Sequence, residues 1–232
     1  MTTEEFSVDG VRVCIALPCY GGYVPLEMLL AFAELVPECN KYGVEVSILA
    51  ERGNSLPTTA RNNLISRFMD TKSDYIFWID DDILFTVSDF LQILALVVER
   101  KSVAATYCVR KDEPVFFIKP LDGKNLTYDS KGLIECRGVG LGFSCQHRSI
   151  LEPMFNEAEV YTDKDNNILR DVFKAGVFDG KFVGEDFYFF NKLYENGHIT
   201  YIHPLINLKH VGRKDYDHRL ITEKGDLNGT SS

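Results

Sequence analysis

No stretch of this sequence approaches the roughly 18–20 consecutive apolar residues of a membrane-spanning helix. The most apolar helical candidate, residues 90–98, is too short and contains Gln92. Positive charge is in deficit. Twenty-five Lys and Arg against 34 Asp and Glu give a net charge of −9 and a pI near 5.1, which disfavours nucleic acid and anionic membrane as partners. CxxC pairs are missing: Cys14, Cys19, Cys39, Cys108, Cys136 and Cys145 stand apart, several within apolar runs. They read as reduced structural thiols rather than a disulfide framework or zinc site. The opening Met1-Thr2-Thr3-Glu4-Glu5 has neither the basic nor the apolar region of a signal peptide. A cytoplasmic protein without a transmembrane segment is the expectation. Repeats and low-complexity tracts are also lacking. The 232 residues, 45% of them hydrophobic, suffice for one sizeable core, expected over 1–214 with a polar tail at 215–232.

What is present is concentrated in Tyr75-Ile76-Phe77-Trp78-Ile79-Asp80-Asp81-Asp82-Ile83-Leu84-Phe85. Five apolar residues run into three carboxylates. The run reads as a strand buried on both faces, and the acids cannot be buried as bare charges. They belong at the strand's carboxyl edge, facing a positive group.

Around this strand the first half alternates. Val11 to Leu17, Val44 to Ala50, Tyr75 to Ile79 and Val103 to Val109 read as strands. Helical patterns lie between them. One runs from Pro25 to about Glu38 with a stripe at 26, 29, 30, 33 and 36. A second spans Thr58 to Asp70, and a third is capped by Ser88 and runs to about Arg100. This βαβαβαβ order predicts an α/β fold with a mostly parallel sheet and helices on both faces. Its ligands are expected at the carboxyl ends of the strands. After Arg110 the texture changes to short strands around 116–118 and 133–135, a glycine-rich segment at 138–143, and a polar loop at 164–167. A helix from Glu185 to Asn196, with Phe190, Leu193 and Tyr194 inward, and a strand at 199–202 follow.

Four sets of residues could carry chemistry. Asp80 and Asp82 project to one side of a strand end, where both can reach one hard cation, Mg2+ or Mn2+. Asp81 points away and could accept from a sugar hydroxyl. Arg61 shares a helical face with Leu64, Ile65 and Phe68, so it needs an anionic partner, either an acid of the chain or a bound diphosphate. Asp186 turns inward at a helix start beside Glu185 and could hold or deprotonate a hydroxyl. His210, followed by Arg213 and Lys214, could close over a metal diphosphate. The plainer alternatives are a solvated acidic turn, a structural ion pair at Arg61 and simple helix capping at Gly184-Glu185-Asp186.

Taken in order, these motifs resemble a GT-A-type nucleotide-sugar glycosyltransferase over residues 11–214. The parts are Ala16-Leu17-Pro18-Cys19-Tyr20-Gly21, Ala60-Arg61-Asn62-Asn63, Ile79-Asp80-Asp81-Asp82-Ile83, Gly138-Val139-Gly140-Leu141-Gly142-Phe143, Gly184-Glu185-Asp186 and His210-Val211-Gly212. The resemblance implies a nucleotide-binding half over 11–110 and an acceptor-side half, with a small antiparallel section, over 111–214. It implies metal ligation by Asp80, Asp82 and His210, with Asp81 near the ribose. Pro18, Tyr20, Glu51 and Arg61 would line the nucleotide side, Arg213 and Lys214 would neutralise phosphate, and Asp186 and Glu185 would face the reacting sugar and its acceptor. The donor implied is a nucleoside-diphosphate sugar, UDP favoured over GDP, and the acceptor is a hydroxyl, most simply of a glycan. Ala60-Arg61-Asn62 resembles the retaining α-mannosyltransferases of this fold and favours retention. Small size and the lack of an anchor resemble the soluble enzymes of phages and large algal viruses, which would place the protein in host cytoplasm. Two rivals stay open. A DxD phosphohydrolase of the haloacid dehalogenase type would want Thr or Val where Leu84 stands, and its motif on the first strand. A non-catalytic sugar-nucleotide or glycan-binding module would lack the need for intact Asp186.

Overall fold

A computed structural model of the chain describes residues 7–110 and 114–212. The first half comprises β1 (Arg12–Cys19), α1 (Leu26–Lys41), β2 (Glu45–Arg52), α2 (Pro57–Met69), β3 (Tyr75–Ile79), β4 (Ile83–Leu84), α3 (Val87–Arg100) and β5 (Ser102–Ala104). The second adds β6 (Ile118–Pro120), β7 (Thr127–Tyr128), β8 (Ile134–Val139), β9 (Phe143–His147), α4 (Arg148–Glu157), β10 (Val160–Thr162) and β11 (Ile168–Arg170). It ends with β12 (Gly176–Phe178), β13 (Lys181–Val183), α5 (Glu185–Glu195), β14 (Thr200–Ile202) and β15 (Lys209–His210).

The main sheet has the order β2-β1-β3-β9-β5-β14-β8-β6, with β7 also on β8. Strands β2, β1 and β3 pair in parallel, as do β5 and β14. Strand β9 runs against β3 and β5, and β8 runs against β14, β6 and β7. All other strands of this sheet therefore share one direction. This is the expected α/β fold: β2, β1 and β3 form a parallel unit, and the strands β8 and β9 of the second half enter the sheet antiparallel. The sequence did not reveal that β9 would enter between β3 and β5, which the local pattern makes neighbours.

Side chains alternate across the sheet and fill two cores. Val13, Ile15, Phe77 and Ile79 face α1 and α3, where Phe77 stacks on Phe90 at 4.4 Å. Cys14, Ala16, Ile76 and Trp78 face α2, α4 and α5. Burial on both sides explains why β3 is apolar throughout. Each such large side chain contributes about 1.5–3 kcal/mol. All six cysteines are buried.

Several local expectations need correction. Helix α1 buries Met28, Ala31, Leu35 and Cys39, while Leu26, Leu29 and Leu30 are exposed. The helix carries two apolar stripes, and only one can meet the sheet. Helix α3 is capped by Thr86, not Ser88. Asp89, three residues on from Thr86, closes a reciprocal capping box, and Ser88 has only Leu91 at that offset. Strand β5 stops at Ala104 rather than Val109. Tyr194 is exposed, and Phe189 joins Phe190 and Leu193 inside. Helix α4, absent from the sequence reading, is interrupted in pattern by Pro153. Its first residue, Arg148, donates to the carbonyls of Phe68 and Thr71, both at 3.0 Å, and so fastens the end of α2.

Candidate active site

The carboxyl ends of β1 and β3 and the starts of α2 and α5 enclose a cavity of about 300 Å3. It is lined by Pro18, Cys19, Tyr20, Asn54, Ser55, Pro57, Ala60, Arg61, Asp80, Asp81, Asp82, Glu185 and Asp186. A larger groove of about 940 Å3 lies between α1 and α3, and none of the candidate residues lines it.

Arg61 is the centre of the cavity's electrostatics. Helix α2 begins with Pro57 at its first position and turns Arg61 inward, where it is 4% exposed. Its partners are acids of the chain. Nη1 lies 3.2 Å from Asp80 Oδ1, Nη2 lies 3.3 Å from Asp186 Oδ1, and Nε lies 3.8 Å from Glu185 Oε1. Burial works against the guanidinium charge, but Asp80, Asp186 and Glu185 outweigh it and hold the pKa above its ordinary value. Burial raises Asp80 while Arg61 opposes the rise. The same contest pushes Asp186 up to about 6, burial first, Arg61 opposing and Glu185 and Asp80 adding to it. Asp186 Oδ2 accepts the Leu141 N–H at 3.1 Å, and the start of α5 favours both acids through its dipole. Buried Asp80 Oδ1, Asp186 Oδ1, Arg61 Nε and Arg61 Nη1 have ionic partners but no hydrogen bond.

The glycine-rich segment now has a physical reason. A Cβ on Gly142 would lie 2.5 Å from Asp80 Oδ2 and 2.7 Å from the Tyr107 hydroxyl, and one on Gly140 would lie 2.8 Å from that hydroxyl. The two glycines admit Tyr107, whose oxygen accepts the Gly142 N–H at 3.1 Å. Burial and then Asp80 and Asp186 hold its phenol well above the ordinary range. Gly142→Ala is expected to displace Asp80 or Tyr107 and to cost about 1–3 kcal/mol in urea unfolding. Gly184→Ala, with nothing within 4 Å, is the tolerated control.

Asp82 lines the same cavity but takes its partners from β15 and from the chain after β5. Strand β15 pairs with β4, matching His210 to Ile83, and Val211 N–H donates to the Asp82 carbonyl at 2.7 Å. This brings His210 Nε2 to 3.4 Å from Asp82 Oδ2. His210 Nδ1 lies 3.0 Å from the Cys108 carbonyl, which only accepts, so Nδ1 carries the proton and Nε2 is left toward Asp82. Arg110 Nη2 also contacts Asp82 Oδ2.

The structure thus brings Pro18, Tyr20, Arg61, Asp80, Asp81, Asp82, Glu185 and Asp186 to one cavity, with His210 against Asp82. Glu51 is at the end of β2, but its carboxylate faces Arg67 at 3.5 Å. Arg213 and Lys214 lie outside the described residues. Tyr107 and Arg110 were missed; both follow β5, Tyr107 within the run that reads as strand and Arg110 just past its end. Asn62 clamps Phe173 instead of lining the cavity, accepting its N–H at 2.8 Å and donating to its carbonyl at 3.2 Å.

Among the described residues no group of three or more His, Cys, Asp or Glu is arranged to hold a metal. The donor set nevertheless suits a hard divalent cation. Five carboxylates share the cavity with one buried guanidinium, and an imidazole nitrogen is oriented toward Asp82 by a backbone carbonyl.

Fold and site together define an α/β protein with an acidic cavity at its strand ends. No protein-family profile and no curated protein sequence matches the chain. It is similar to the S. aureus TarS 1–349 structure in complex with UDP, with 12% identity over 83% of this chain and 58% of that one, and a TM-score of 0.45. It is similar to GalNAc-T7 with UDP, GalNAc and Mn2+, with 11% identity over 88% and 44%, and a TM-score of 0.47. The mannosyltransferase PcManGT from Pyrobaculum calidifontis, in complex with GDP-Man and Mn2+, gives 13% over 84% and 57%, and 0.43. The chain spans about half the length of these structures.

Proposed function

We propose that the chain is a metal-dependent glycosyltransferase. It moves a hexosyl or deoxyhexosyl group from a nucleoside-diphosphate sugar, UDP-linked in the first instance, to a hydroxyl of an acceptor glycan. The observation that carries the proposal is the cavity at the strand ends, where Asp80, Asp81, Asp82, Glu185 and Asp186 surround a single buried Arg61. So acidic a cavity repels a bare diphosphate and accepts one that arrives with a divalent cation.

Asp80, Asp82 and His210 would hold that cation, which when bound supplies Lewis-acid neutralisation of the departing diphosphate. Pro18 and exposed Tyr20 form the wall for the nucleobase. Asp81 accepts from the ribose, and Glu51 bounds the nucleotide side from β2. Arg213 and Lys214 are assigned to phosphate. Arg61 acts as a positioning residue, fixing Asp80 at one end and Glu185 and Asp186 at the other. Asp186, poised near neutrality with one oxygen free of hydrogen bonds, is suited to take the acceptor's proton, with Glu185 orienting the acceptor. That role favours an inverting reaction over the retention that Ala60-Arg61-Asn62 suggests.

The test is a donor panel with Mn2+, read by thermal shift and by nucleotide release. The expected result is Mn2+-dependent stabilisation by UDP and turnover of at least one UDP-sugar. Asp82→Asn should weaken Mn2+-dependent UDP binding about tenfold, or ~1.4 kcal/mol. Stabilisation without turnover of any nucleotide sugar would favour the binding module. Phosphate release from phosphomonoesters would favour the hydrolase.

A further inference from the structure

The division of charge within the site singles out Arg110. Arg61 is committed to Asp80, Glu185 and Asp186. Asp82, at the other end, is served by Arg110, whose Nη2 contacts the same Oδ2 that His210 Nε2 approaches. A guanidinium and a divalent cation compete for one carboxylate oxygen, because two positive charges at ligand distance repel. Arg110 is also the member of this group able to move. Its side chain is 45% exposed, against 5% for Arg61 and 16% for His210. It leaves a backbone pinned just before it, where Val109 N–H donates to the Val115 carbonyl at 2.9 Å, so the side chain can swing without the backbone at Val109 moving. The natural destination of a displaced guanidinium beside an incoming metal diphosphate is a phosphate oxygen, which its planar fork fits.

We infer that Arg110 is an exchangeable counter-ion. It neutralises Asp82 when no metal nucleotide is present and transfers to the diphosphate when one binds. The inference rests on the proposed metal and nucleotide reading of the cavity and adds a second role for a residue that reading leaves unassigned. It makes Arg110 a competitor of the cation and a partner of the nucleotide, so removing it should have effects of opposite sign.

Isothermal titration of the full chain with Mn2+ alone, and with UDP in saturating Mn2+, separates the two. For Arg110→Ala we expect Mn2+ alone to bind about tenfold tighter and UDP about tenfold weaker than in the wild type. Arg110→Lys, which keeps the charge but not the fork, should restore the weaker Mn2+ binding and only part of the UDP affinity. Both affinities moving the same way, or neither moving, overturns the inference while leaving the metal reading intact. Failure of the wild type to bind Mn2+ with or without UDP overturns that reading and this inference with it.

Discussion

Replacing Arg61 with methionine is expected to cost about 3–5 kcal/mol of folding stability at pH 7.5, read as a fall in the urea midpoint at unchanged slope. The magnitude follows from what is left behind. Asp80, Glu185 and Asp186 surround the guanidinium at 3.2–3.8 Å, and their side chains are only 21–23% exposed. Without Arg61 they become neighbouring carboxylates with no cation among them. Methionine fills much of the space, so cavity formation is a minor part of the loss. Charge predicts a further signature. Burial already raises Asp80 and Asp186, and without Arg61 to oppose it their pKa values would rise further, so lowering the pH to 5 restores much of the lost stability. An equal loss at both pH values would mean that Arg61 acts through packing on Trp78, whose ring lies 5.9 Å from its guanidinium carbon.

Asp186→Asn is expected to lower transfer about 10²–10⁴-fold while leaving Mn2+-dependent UDP affinity within threefold of wild type. The sign of the pH dependence can be worked out. Asp186 is raised from the ordinary carboxyl range to about 6, so the folded protein holds this proton more tightly than the unfolded chain. Its contribution to stability is full below the ordinary value and is lost as pH rises through about 6. Activity runs the other way, because the base is ionised above that point. Wild-type kcat/KM should therefore climb through pH 6 as stability declines, and the asparagine variant should lose both trends. A variant that mainly weakens UDP binding would place Asp186 on the donor instead.

The legible part of this molecule was the part with local causes. Periodicity exposed the alternation from Arg12 to Arg100, and the cost of burying charge put Asp80, Asp81 and Asp82 at a strand end. The same logic turned Arg61 inward and marked Asp186. What escaped depends on pairing across long separations. Nothing near Phe143–His147 says that β9 slides between β3 and β5, since insertion is decided by the whole sheet. Tyr107 was hidden because the run from Val103 to Val109 reads as continuous strand, with Arg110 just past its end, whereas the chain leaves the sheet after Ala104. The phase of α1 failed for another reason. Leu26, Leu29 and Leu30 are as apolar as the residues that meet the sheet, and composition alone does not rank two stripes.

The pairing of β15 with β4 also sets a schedule for the nascent chain. The acids at 80–82 and the arginine at 61 emerge early, but His210 and the backbone that braces Asp82 emerge last. A ribosome-bound chain stalled before residue 210 can form the parallel part of the sheet yet would carry Asp82 without its brace from β15. Competence for metal and nucleotide should therefore switch on abruptly with chain length, later than the sheet itself.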